Sequence, residues 1–211
     1  MILRCRRFYP CKVLLRLYKQ FVLSGIEFAT PAIYHATDYA LSPLERVQRR
    51  MLDELQYTEK DALLDHALAP LQCRRDMAML GLLHRIIMGW APACLQKFIY
   101  YADAPTFPRS YRAPDLRHNR QIHDVSSGSE SRLFQRSIFK LVYTCNVLPQ
   151  IVVDSRNVHI FQKHLQRCLK HVANGNLYEW PFLFTRGIRT TTVAKFHSLF
   201  NVRTEMSNSF L

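Results

Sequence analysis

Glycine is scarce in this chain, six in 211 residues. The six form neither GxGxxG nor GxxxxGK, so nothing points to a loop that cradles a nucleotide phosphate. No uncharged apolar run approaches the ~20 residues that span a bilayer, and no membrane partner is expected. Six cysteines (Cys5, Cys11, Cys73, Cys94, Cys145, Cys168) are scattered without a CxxC. That pattern fits a reduced intracellular protein, nuclear or cytoplasmic, better than a disulfide framework. GxSxG and HExxH are missing, and no cysteine–histidine pair can be named a nucleophile from sequence alone. No cofactor and no small-molecule substrate are expected.

Acidic residues are also few. Sixteen Asp and Glu stand against 29 Lys and Arg, a formal charge of +13 and a pI near 9.8. Such an excess points to a polyanionic partner, most often nucleic acid. The charge is unevenly spread. Residues 1–20 hold six basic residues and no acid, residues 131–175 hold seven basic residues and one acid, and residues 21–70 hold eight acids and four basic residues. The first twenty residues are Arg-rich, acid-free and amphipathic, as in a mitochondrial presequence. They are read here as a helix of the fold.

What the chain does contain is helical periodicity, and an all-α fold is expected. In "KVLLRLYKQFV" the residues Leu14, Leu17, Tyr18 and Phe21 share one face, with Lys12, Arg16 and Lys19 on another. In "SPLERVQRRMLDEL", Ser42 is placed to cap, Pro43 suits the first turn and Glu45 completes a capping box. Leu44, Val47, Met51 and Leu55 form its apolar stripe, and Glu45 and Arg49 a favourable i,i+4 pair. Thr58 and Asp61 offer a second box. Met77, Leu80, Leu83 and Ile87 line one side of the next helix, and a short helix follows Pro92.

Residues 102–130, with three prolines and "SSGS", read as an irregular linker between two helical lobes. His118 and His123 within it are expected to be solvated. Beyond it, "SRLFQRSIFKLVYT" places Leu133, Phe134, Ile138, Leu141 and Val142 on one side and Arg132, Arg136 and Lys140 on the other. The last helix sets Val158, Phe161, Leu165, Leu169 and Val172 against Lys163, Arg167 and Lys170, with Gly175 as its cap. The boundaries are thus 1–101, 102–130, 131–175 and a tail 176–211 in which "IRTTTVAKF" suits a short strand. His164, Cys168 and His171 recur at helical spacing, but with no fourth ligand they read as a polar shoulder rather than a metal site.

Three helices therefore pair an apolar stripe with a basic one. On a globular surface such a stripe is ordinarily a solvated face. Repeated in a chain so poor in compensating acids, it suits contact with a phosphate backbone, which gives affinity without sequence choice. Tyr18, Tyr100, Tyr101 and Phe107 are available to stack on bases.

Several short motifs lie in a recognisable order: Leu17-Tyr18, then Leu44-Glu45 with Gln48-Arg49-Arg50, then Leu71 with Arg74-Arg75. Ser137-Ile138-Phe139, Asn146-Val147-Leu148-Pro149, and Phe161 with Lys163 and Leu165 come after. Together, over about residues 11–173, they resemble the region after the catalytic palm in reverse transcriptases of non-LTR retrotransposons, the LINE class. Cys145 departs from the pattern, which has Trp there. The resemblance implies a thumb and C-terminal portion that holds RNA template or RNA–DNA hybrid beside a separate polymerase palm domain. It also bears on "IYYADAP". In the family a Tyr-Ala-Asp-Asp turn lies N-terminal to all these motifs, whereas Asp103 follows them and Ala104 replaces the second aspartate. Two-metal chemistry needs converging carboxylates, so no catalytic residue is assigned and no enzyme is expected. The alternatives are a helical protein-interaction module and a translated remnant without selected function.

Overall fold

A computed structural model describes residues 2–102, 118–125, 131–175, 180–185 and 193–200. Among these the fold is all-α, and the only extended pairing is an isolated antiparallel bridge between Tyr101 and Ile122. A 3-10 segment, Ile2–Arg7, leads into α1 (Cys11–Leu17), a π-helical stretch (Tyr18–Leu23) and α2 (Ser24–Phe28). Then come α3 (Thr30–Ile33), α4 (Asp38–Glu54), α5 (Glu59–His66), α6 (Leu71–Ile87) and α7 (Ala93–Gln96). The second half holds α8 (Arg132–Arg136), a 3-10 turn (Ile138–Leu141), α9 (Val142–Asn146), α10 (Gln150–Val153) and α11 (Val158–Asn174). A 3-10 turn (Trp180–Phe182) and α12 (Val193–Ser198) complete it. The part of "IRTTTVAKF" within the described residues is therefore helical, not a strand.

The π-helical stretch corrects the first apolar face. A π-turn takes one more residue per turn than an α-turn. After Tyr18 the next inward position falls on Leu23, which is buried, and Phe21 is left 73% exposed.

Helix α4 starts five residues earlier than its capping signal suggests. Thr37 is the N-cap, its hydroxyl accepting from Ala40 N–H at 3.3 Å. Pro43 lies inside the helix and cannot supply the N–H that would reach the Tyr39 carbonyl. The Ser42 hydroxyl donates to that carbonyl instead, at 2.9 Å. Ser42 thus repairs a proline gap rather than capping. The buried face is also turned: Leu41, Gln48, Met51, Leu52 and Leu55 face inward, Leu44 packs at the margin, and Val47 is 46% exposed. The Thr58 cap forms as expected, accepting from Asp61 N–H at 3.1 Å and donating to its carboxylate.

The apolar interior falls into two clusters, and the division does not follow the 102–130 segment. One joins Leu14, Leu15 and Tyr18 to Met51, Leu52, Leu68 and Leu71. The other joins Met77, Leu80, Leu83 and Ile87 of α6 to Val152, Phe161, Leu165 and Leu169, and takes in Ile122, Phe184 and Phe196. Fully burying each such Leu or Phe stabilises the fold by about 1.5–3 kcal/mol. Helix α6 serves both clusters because it is apolar on more than one side. It meets α11 closely at Gly81, where an added Cβ would lie 2.9 Å from Val158 Cγ2. His84 stacks on Phe161 one turn further, ring centroids 4.3 Å apart.

Part of the expected linker belongs to this interior. Ile122 pairs with Tyr101 on one side. On the other, the Asn146 side chain accepts from Ile122 N–H at 2.9 Å and donates to its carbonyl at 2.7 Å. His118, expected in solvent, is buried, while His123 is exposed.

Candidate nucleic-acid interface

The first basic stripe sits on α1 and the π-helical stretch. Lys12 and Arg16 are exposed and make no ion pair among the described residues. Lys19 turns inward and donates to the His66 carbonyl at the end of α5. The neighbouring carbonyls are taken up in the same way. Leu64 O accepts from Lys170 at 2.8 Å, and Ala67 O from Arg74 at 3.3 Å and Gln166 at 3.2 Å. Unpaired carbonyls at a helix C-terminus attract cations, so these side chains close α5. Ala67 ends that helix in the left-handed region, φ 52°.

The stripe on α11 splits similarly. Lys163 and Arg167 are exposed, while Lys170 is committed to α5. Together the π-helical stretch, α2, α6 and α11 enclose a groove of about 470 Å³, lined by Lys19, Glu27, Arg74, His159, Lys163 and Gln166 among others. The groove takes one cation from each of the first and third stripes, Lys19 and Lys163, while Lys12, Arg16, Arg167 and Lys170 lie outside its lining. Crowding shows in Lys19: burial, then the nearby Arg74 and Lys170 charges, lower its pKa from the ordinary range. Glu27 answers Arg74 in an ion pair.

The second stripe does not exist as a face. Ser137 takes an extended conformation, φ −92° and ψ 176°, and breaks the helix between Arg136 and Lys140. A hydrogen bond of its own hydroxyl to Phe139 N–H begins the 3-10 turn. Ser competes with helix by this kind of local bond, which a periodicity count cannot register. Arg132 remains exposed, and Arg136 folds back onto the Arg132 carbonyl at 3.2 Å. Leu133, expected in the core, is 66% exposed. Lys140 points inward, 3.7 Å from the Asp76 carboxylate and above the Tyr34 ring.

The motif residues are mostly scaffold. Glu45 pairs with Arg75 across 2.6 Å rather than with Arg49. Gln48 donates to Ala69 O at 3.0 Å and accepts from Tyr18 at 3.4 Å, which removes Tyr18 from the stacking candidates. Arg49 and Arg50 are exposed on α4. Asn146, Leu148 and Pro149 are buried around the α9–α10 turn. Tyr101 is tied to the Ile87 carbonyl at 2.7 Å, and Tyr100 is 66% exposed. Phe107 and Asp103 lie outside the described residues.

Among the described residues no group of three or more His, Cys, Asp or Glu side chains is placed to hold a metal. Cys168 is buried with its thiol pushed up by burial, while His171 is exposed. No helix among the described residues is long and apolar enough to cross a membrane.

Periodicity gave no sign of two buried polar features. Asp76 lies in the core, accepting from Tyr34 at 2.8 Å and Gln72 at 3.0 Å, with its pKa raised by burial against the pull of Lys140. Three histidines, His84, His118 and His197, are also buried. Their partners Tyr34, Val153, Cys145 and Val147 are distant in sequence, and only the three-dimensional contacts reveal them. No protein-family model, no curated protein and no solved structure matches the chain.

Proposed function

We propose that the chain binds RNA or RNA–DNA hybrid without catalysing a reaction, through the exposed cations of α1 and α11. The observation that supports this most is the surplus of uncommitted charge. Ion pairs among the described residues take up Arg6, Arg74, Arg75 and Lys140. Lys12, Arg16, Arg49, Arg50, Lys163 and Arg167 are exposed outside those pairs. Lys19 and Lys170 serve the fold as helix closures, so the binding set is smaller than nine. The resemblance to the thumb of LINE-class reverse transcriptases gives the polyanion its identity in this proposal, and a separate palm domain would supply the chemistry.

The test is affinity against salt concentration for the wild type and for Lys12→Gln, Arg16→Gln, Lys163→Gln, Arg167→Gln combined. Gln preserves helix propensity. Each lost phosphate contact should lower the salt slope by about one unit, equally across sequences. An unchanged slope in a folded variant defeats the proposal. Primer extension with RNA template and Mg²⁺ should remain at background, with or without Asp103→Ala.

A second reading rests on a different observation. Phe21, Phe28 and Tyr39 are 73%, 90% and 90% exposed, and large exposed aromatics suit a protein partner. Apolar docking would show little salt dependence.

A further inference from the structure

The turn from α9 into α10 is held by imidazoles from three separate parts of the chain. His118 Nε2 lies 3.0 Å from Cys145 O. His197 Nε2, on α12, lies 2.8 Å from Val147 O. His84 Nε2, on α6, lies 2.8 Å from Val153 O. A carbonyl only accepts, so each Nε2 carries the proton and donates. None of the three rings is more than 6% exposed.

In His118 and His84 the other nitrogen resists a second proton. His118 Nδ1 accepts from Arg120 N–H at 3.1 Å, so a proton there sets two N–H groups against each other. His84 Nδ1 is buried with no partner among the described residues, on a ring that stacks on Phe161 and meets Trp90 in a T-shaped contact. A proton there creates an unsatisfied buried donor, which is costly.

We propose that His84, His118 and His197 form an acid-released latch. While all three are neutral, the 118–125 segment and α12 stay seated on the α9–α10 turn. Protonation unseats them and uncovers Ile122 and Phe196.

The charged surroundings reinforce the latch. Around His118, the Asp154 carboxylate at the end of α10 favours protonation, whereas His197 on α12 opposes it. Arg120 opposes protonation of His84. All three pKa values are lowered from 6.5, burial being the largest cause in each. A base whose pKa falls on folding stabilises the fold fully above the unfolded value. That stabilisation is lost as the pH drops through the folded values. Loss therefore begins below 6.5 and steepens as more than one ring charges. The residues the three imidazoles touch, Cys145, Val147, Val153 and Phe161, all belong to the cluster around α6 and α11, so release is confined to that cluster.

Hydrogen exchange of the full chain from pH 7.5 to 5.0, corrected for intrinsic rates, tests the latch. Peptides covering 118–125, 144–153 and 193–200 should lose protection by about tenfold per pH unit for each proton taken up. Peptides covering 41–55 should keep theirs. His197→Gln retains a donor but cannot titrate, and should flatten the acid dependence of the 193–200 peptide. Imidazole ¹⁵N titration of the wild type stands independently of that variant's folding. It should place all three midpoints below 6.5. Midpoints near 6.5, or full protection of α12 at pH 5.0, would overturn the latch.

Discussion

Glu45 on α4 and Arg75 on α6 form an ion pair 2.6 Å long, with the Arg75 side chain only 4% exposed. Arg75 also donates to Gln72 at 2.9 Å, while its second terminal nitrogen has no partner among the described residues. Removing Glu45 leaves a buried guanidinium with one amide oxygen. Glu45→Ala should cost ~2–3 kcal/mol, somewhat under the cost for a wholly buried pair because solvent reaches Glu45. Replacing both residues by Met should cost less than Glu45→Ala alone. Urea unfolding of the single and double variants checks this, and a double variant no more stable than the single contradicts it.

At Gly81 the two central helices come too close for a side chain. Gln162 can swing aside, but Val158 is β-branched and stiff. Gly81→Ala should destabilise by about 1–3 kcal/mol through overpacking, despite alanine's better helix propensity. Gly81→Ala combined with Val158→Ala should recover part of the loss in thermal unfolding. If Gly81→Ala alone raises the melting temperature, the approach of α6 to α11 is wider than described.

The start of α4 yields a prediction opposite to the one its sequence suggests. Thr37→Ala should cost about 1 kcal/mol as a lost N-cap. Ser42→Ala should cost less, because the Tyr39 carbonyl it serves lies at an exposed stretch. Val47→Asp should change stability by no more than ~0.5 kcal/mol, as is usual at exposed sites. Thermal unfolding of the three variants ranks them, and a severe Val47→Asp would return Val47 to the core.

Lys140 separates scaffold from interface. Lys140→Gln removes the cation beside the buried Asp76 and should lower stability. It should leave the salt slope of RNA binding where it was. Lys163→Gln with Arg167→Gln should do the reverse. Paired unfolding and binding curves decide, and a slope change in Lys140→Gln would restore that side chain to the binding set.

These contrasts show what the sequence could and could not reveal. The long helices α4, α6 and α11, 17 residues each, are legible because each repeats apolar residues at helical spacing. The inward face of α4 is misread because its core position is a glutamine. Gln48 is tolerated there only through the Ala69 carbonyl and Tyr18, which are distant in sequence. The basic stripes were countable, but the carbonyls at the end of α5 that claim Lys19 and Lys170 were not. The break at Ser137 depends on one side-chain hydrogen bond, and the burial of His118 on a carbonyl 27 residues away.

Helix α6 walls both apolar clusters, and this governs how the chain comes apart. A backbone cut between residues 102 and 118 would leave α6 in the first fragment and its main partner α11 in the second. The first fragment would then expose Met77, Leu80, Leu83 and Ile87, and the second Phe161, Leu165 and Leu169. Each piece carries the template against which the other orders. Co-expressed halves should therefore reassemble into a non-covalent complex, as split reporter proteins do. In the intact chain, the two clusters should melt in a single transition above the pH at which the latch opens.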